Sequence, residues 1–152
     1  MDKKKTALVV SLTALTAISS IWGHFPSRPR LVSLGLAAPA DPTYPQLPGF
    51  GKKCWVGEDY YFIYQFDKRP QMGTPILKVQ LFDKSGKRKT DLRLVGSYGM
   101  PSMRGAHDSG DQAFKLSKKG DYLLPVNIVM AGEWEVKLTF LKDHQAIYRG
   151  SF

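Results

Sequence analysis

Tyr122-Leu-Leu-Pro-Val-Asn-Ile-Val-Met-Ala-Gly-Glu-Trp-Glu-Val-Lys-Leu-Thr-Phe140 is the stretch whose reading decides the fold. Tyr122, Leu124, Val126 and Ile128 fall on one side of an extended chain. After Ala131-Gly132, a turn signal, Trp134, Val136, Leu138 and Phe140 fall on one side and Glu133, Glu135, Lys137 and Thr139 on the other. A period of two with a charged opposite face is a half-buried strand. The stretch therefore predicts a hairpin that turns at Ala131-Gly132 and keeps one wet face. Pro125 has no N–H for a ladder, which predicts an edge or a bulge at that point of its strand.

Working outward, the same period recurs. Tyr60, Phe62, Tyr64 and Phe66 share a face, as do Leu77, Val79 and Leu81 with Lys78 and Gln80 opposite, and Leu92 and Leu94 flank Arg93. Turn residues separate these runs: Pro70 to Pro75 with Gly73, then Asp83-Lys-Ser-Gly86, Ser117-Lys-Lys-Gly120 and Lys142-Asp143. A weak strand is expected around Ala113 to Leu116 and a last one over Gln145 to Gly150. Six or seven short strands and no helical period beyond the N-terminus predict an all-β, immunoglobulin-like antiparallel β-sandwich preceded by an N-terminal signal or anchor helix. Trp55 and Trp134 are expected as core aromatics.

The N-terminus reads differently. Lys3, Lys4 and Lys5 precede the uncharged stretch Thr6–Trp22, the layout of a secretory n-region and h-region. Its length sits at the lower limit for a spanning helix, so two outcomes stay open: an anchor that is kept, or a signal removed after Ala17-x-Ser19 or Ala38-x-Ala40. Either outcome places the body of the protein outside the cytoplasm, with a membrane contact through the N-terminal segment. Residues 24–51 carry Pro26, Pro29, Pro39, Pro42, Pro45 and Pro48, a density that predicts a semi-rigid spacer. The organisation expected is thus 1–23 signal or anchor, 24–51 spacer and 52–152 sandwich.

Charge narrows the partners. Of 22 basic and 13 acidic side chains, five and one lie in residues 1–40, leaving 17 − 12 = +5 for residues 41–152. Lys84, Lys87, Arg88 and Lys89, and again Lys118 and Lys119, cluster at turns, where charge is solvated. No nucleic-acid partner is expected of an exported chain with this pattern. Cys54 is the single cysteine, so no internal disulfide is available, and it reads as a small hydrophobe at the start of the domain.

Chemistry concentrates in Tyr98-Gly-Met-Pro-Ser-Met-Arg-Gly-Ala-His107, a loop by its glycines and proline. Met100, Met103 and His107 offer two thioethers and an imidazole, a set that selects soft copper(I), whereas zinc would want more histidine or thiolate. Met72 and Met130 would extend the set if their loops reach the same end of the sandwich. The competing reading is packing, because methionines fill irregular gaps between sheets. Ser102, His107 and Asp108 stand too close in one loop to adopt triad geometry, and there is no phosphate loop, Cys-x-x-Cys or His-Glu-x-x-His. No enzymatic activity is expected.

Between about residues 58 and 141, Gly73 with its following strand, Asp83-Lys-Ser-Gly86, Met100-Pro-Ser-Met103, Gly120-Asp-Tyr122 and Met130-Ala-Gly-Glu-Trp-Glu-Val136 resemble the YtkA-like family. The pattern is also similar to the periplasmic part of FixH-type proteins. The resemblance implies an immunoglobulin-like domain in the cell envelope, often anchored in the cytoplasmic membrane and linked to copper handling or oxidase maturation, with an envelope protein as partner. The family often places a histidine soon after the second methionine, whereas Arg104, Gly105 and Ala106 intervene here before His107. Two function classes follow: a copper(I)-binding accessory, and a metal-free interaction or structural module.

Overall fold

Inward-facing apolar residues recur every second position through the longer strands, and their burial builds two antiparallel sheets around one core. The computed structural model describes residues 41–152, so the signal or anchor expected over 1–23 and the first part of the proline-rich stretch lie outside the described residues. One sheet holds β1 (Cys54–Val56), β2 (Tyr60–Phe66), β3 (Ile76–Asp83), β8 (Tyr122–Pro125) and β7 (Lys115–Leu116) in that order, with β4 (Arg88–Lys89) also on β3. The other runs β10 (Gln145–Ser151), β9 (Glu135–Lys142), β5 (Arg93–Gly99), β6 (Gln112–Ala113). Every strand pair is antiparallel, and the described residues contain no helix beyond a 3-10 turn over Pro101–Met103. The all-β expectation is met.

The expected inward faces are the buried ones. Phe62 and Tyr64, Leu77, Val79 and Leu81, Leu92 and Leu94, Tyr122 to Ile128 at alternate positions, and Val136, Leu138 and Phe140 form one cluster. Each such aliphatic or phenyl side chain contributes about 1.5–3 kcal/mol on leaving water. Cys54 joins them. Its thiol donates to the Lys52 carbonyl at 3.7 Å, and burial pushes its pKa up. The described part of the proline-rich stretch lies against the sheets: Leu47 is in the core, and Phe50 meets Tyr64, Phe66 and Phe152 edge-on. Lys137 holds Asp41 at 3.0 Å and, with the Thr43 N–H, lowers its carboxyl to about 2.

Three expectations are corrected. The stretch 122–140 is not a hairpin: β8 pairs with β3 and β7, while β9 pairs with β5 and β10 in the opposite sheet. Val126 N–H donates to the Pro75 carbonyl and Gly73 bridges to Ile128, so the chain stays beside the first sheet and then crosses over. Alternation identifies a buried face, but it is silent on which strand lies alongside. Trp55 is 52% exposed rather than core, because Cys54 and Val56 take the inward positions of β1. Trp134 is only partly buried, packed at the rim of the core.

The weak strand at 113–116 divides in two. Its halves belong to different sheets, and Phe114 carries the chain across between them. The crossing depends on Gly96, where an added Cβ would stand 2.8 Å from the Phe114 ring and 3.2 Å from the Lys137 carbonyl. Pro125 behaves as expected, since β7 covers only Tyr122 and Leu123 and leaves Pro125 at a local edge.

Candidate functional site

Strand polarity sorts the connections into two sets. At one end lie the segments after β2, after β5 and before β9; at the other lie the turns after β1, β3, β7 and β9. The chain has five methionines, and all four that follow Met1, namely Met72, Met100, Met103 and Met130, fall in the first set. This clustering was only partly legible. The Met100–His107 loop stands out in the sequence, whereas the approach of Met72 and Met130 depends on how β3, β5, β8 and β9 associate.

The loop after β5 closes on itself. Tyr98 N–H donates to Ser109 Oγ at 2.9 Å and Ser109 N–H returns to the Tyr98 carbonyl at 2.9 Å, pinning its two ends. Pro101 opens the 3-10 turn, and Met103 N–H donates to the Met100 carbonyl at 3.0 Å. The turn separates the two thioethers: Met100 is 6% exposed and Met103 is 40% exposed. His107 is half-buried, with its carbonyl against Gly99, where a Cβ would approach it to 3.2 Å.

Two hollows lie at this end of the sandwich. A cleft of about 110 Å³ is lined by Met100 with Arg104, Asp108, Glu135 and Lys137; Met103 and His107 do not line it. Its two cations and two carboxylates make it a polar cleft, and the Arg104 guanidinium opposes a metal cation there. A larger hollow of about 690 Å³ is lined by Met72, Met130 and Trp134 together with Pro70, Ile128 and Gly132. Met72 and Met130 come from loops clipped together by reciprocal bonds between Gly73 and Ile128, 2.9 and 2.8 Å. Trp134 Nε1–H donates to the Met130 carbonyl at 3.1 Å, which fixes the ring, and Tyr98 flanks it at 6.5 Å.

Met100 lines the cleft and rests against Gly132, which lines the larger hollow. A Cβ added at Gly132 would lie 2.5 Å from the Met100 methyl. Gly132 has φ +147°, a conformation open essentially to glycine alone, so the turn signal noted in the sequence serves a close approach rather than a hairpin. Among the described residues no three His, Cys, Asp or Glu side chains gather as a metal-ligating group. The soft donors at this end are thioether sulfurs, and His107 lies in the same loop as Met100 and Met103 without lining either hollow.

Comparison of the chain with family models, with curated proteins and with solved structures finds no match.

Proposed function

We propose that this chain is an exported, membrane-tethered accessory whose immunoglobulin-like sandwich handles copper(I) in the cell envelope. The observation that carries the reading is that Met72, Met100, Met103 and Met130 all fall in connections at one end of the sandwich, the end whose loop also carries His107. Thioethers are weak ligands for hard or borderline cations and good ones for copper(I). Met100, Met103 and His107 are the set read from the sequence, with Met100 turned into the cleft and Met103 outward, and Met72 and Met130, which share the larger hollow, enlarge it. Cys54 does not compete, because a buried thiol with a raised pKa supplies little thiolate. The tether rests on Lys3–Lys5 followed by the uncharged Thr6–Trp22. The YtkA-like resemblance points the same way, with a protein of the cell envelope as partner.

The test is a copper(I) titration of the full chain recovered from the membrane fraction at intact mass. The parent binds copper(I) in preference to zinc. The variant with Met72, Met100, Met103 and Met130 all changed to Leu loses binding while its near-ultraviolet circular dichroism is kept, since leucine nearly preserves the volume. Unchanged affinity in that variant would refute the reading. One observation favours a metal-free alternative: the larger hollow is apolar and methionine-lined, the kind of adaptable surface that takes a partner's side chain. Binding of an envelope protein undiminished in the absence of copper would support it.

A further inference from the structure

We infer that the larger hollow is the copper(I) exchange site, with the Met72 and Met130 thioethers as ligands and the Trp134 ring covering the ion. The inference rests on the copper reading above and adds where and how the ion is passed on. Three features support it. The two thioethers lie on separate loops, but the Gly73–Ile128 clip holds those loops together, so both side chains open on one concavity. Trp134 lines the same concavity with its N–H already spent on the Met130 carbonyl. The ring therefore presents its π system, which attracts a cation and repels an anion.

Exposure distinguishes exchange from storage. Met72 is 66% exposed and Met130 37% exposed, whereas Met100 is almost wholly buried and its methyl rests on Gly132. A storage site closes its coordination shell; a transfer site leaves one side for the incoming ligand. A hollow of about 690 Å³ is far larger than a bare ion needs, and the surplus admits a donor or acceptor side chain from another protein. Two protein thioethers leave copper(I) coordinatively unsaturated, so a third soft ligand can attack without prior dissociation. No oxidation or reduction is involved, because copper(I) is bound and released in the same state.

The experiment uses the full chain with Trp22→Phe and Trp55→Phe, which leaves Trp134 as the only indole, and silver(I) as a redox-stable probe of the copper(I) site. Silver(I) is expected to quench Trp134 fluorescence stoichiometrically and zinc(II) to leave it unchanged. Met72→Leu or Met130→Leu should each weaken silver(I) binding by roughly 10-fold or more, since loss of even an outer partner of a metal ligand costs that much. Met100→Leu with Met103→Leu, which removes the thioethers that do not line the larger hollow, should weaken silver(I) binding less than Met72→Leu or Met130→Leu does. If silver(I) binds with no change in Trp134 emission, or if binding survives the loss of Met72 and Met130 and vanishes with Met100 and Met103, the exchange site is refuted while the copper reading stands. If no silver(I) binds by mass or calorimetry, both fall.

Discussion

The two ends of the sandwich are built on different principles. At the end that carries Asp59, Asp83, Ser117 and Asp143, connections are tight turns closed by their own side chains, with Lys84 N–H on the Asp59 carbonyl at 2.9 Å and Arg88 on Gly120 and Asp121 as links between neighbours. Asp83 Oδ1 accepts from Ser85 N–H and Lys87 N–H at 2.9 Å each, and Ser117 Oγ accepts from Asp121 N–H at 3.0 Å. Asp143 and His144 both adopt positive φ, 50° and 64°, in the two-residue turn that joins β9 to β10. At the methionine end the connections run through 67–75, 100–111 and 126–134; Tyr98 and Ser109 close one of them on itself, while Gly73 with Ile128 and Met100 with Gly132 join one connection to another. Local bonds make a turn rigid and self-sufficient, whereas mutual bonds make a surface that can be shaped for a ligand.

Glycine substitution should separate the ends most strongly. Gly132→Ala forces an L-residue to φ +147° and drives a Cβ into Met100, so it should cost about 3 kcal/mol from strain and overpacking together. Gly86→Ala, at φ +87° with only the Tyr61 hydroxyl nearby at 3.7 Å, should cost about 1 kcal/mol. Urea midpoints of the two variants measure the gap. Equal losses would mean that Met100 is not seated against Gly132.

The tyrosines give a smaller, pH-resolved contrast. Burial raises Tyr122, whose hydroxyl donates to the Leu92 carbonyl at 2.6 Å near the charged end, to about 12, and raises Tyr64, which donates to the Pro48 carbonyl, to about 12 as well. Because both folded values lie above the unfolded value of 10.0, their stabilisation is complete below pH 10. It is lost as pH rises towards 12. Tyr122→Phe should cost about 1–2 kcal/mol at neutral pH by stranding the Leu92 carbonyl. It should also flatten the alkaline decline by one titrating group. An unchanged slope of stability against pH would show that Tyr122 ionises alike in both states.

Surface changes should move stability least at either end. Lys84 and Asp59 form an ion pair at 3.9 Å with both side chains well exposed, and Met103 projects from its turn. Lys84→Ala and Met103→Gln should each stay within about 0.5 kcal/mol of the parent in thermal unfolding. A larger loss for Met103→Gln would make that side chain part of the packing and weaken its candidacy as a ligand.

What the sequence determined by itself was periodic and local. Alternation at Leu77-x-Val79-x-Leu81 and at Val136-x-Leu138-x-Phe140 settled which faces are buried, because a strand presents every second side chain to the same side whatever its neighbour. Asp83-Lys-Ser-Gly86 and Ser117-Lys-Lys-Gly120 settled where the chain turns, because their hydrogen bonds close within four residues. Tertiary structure alone decided the long-range pairings. It placed β8 beside β3 instead of β9, passed Phe114 between the sheets over Gly96, left Trp55 outside, and brought Met72 and Met130 to one hollow although they stand 58 positions apart in the chain (130 − 72). Such choices depend on which of several equally apolar faces pack together. That is a property of the whole core, and no local period encodes it.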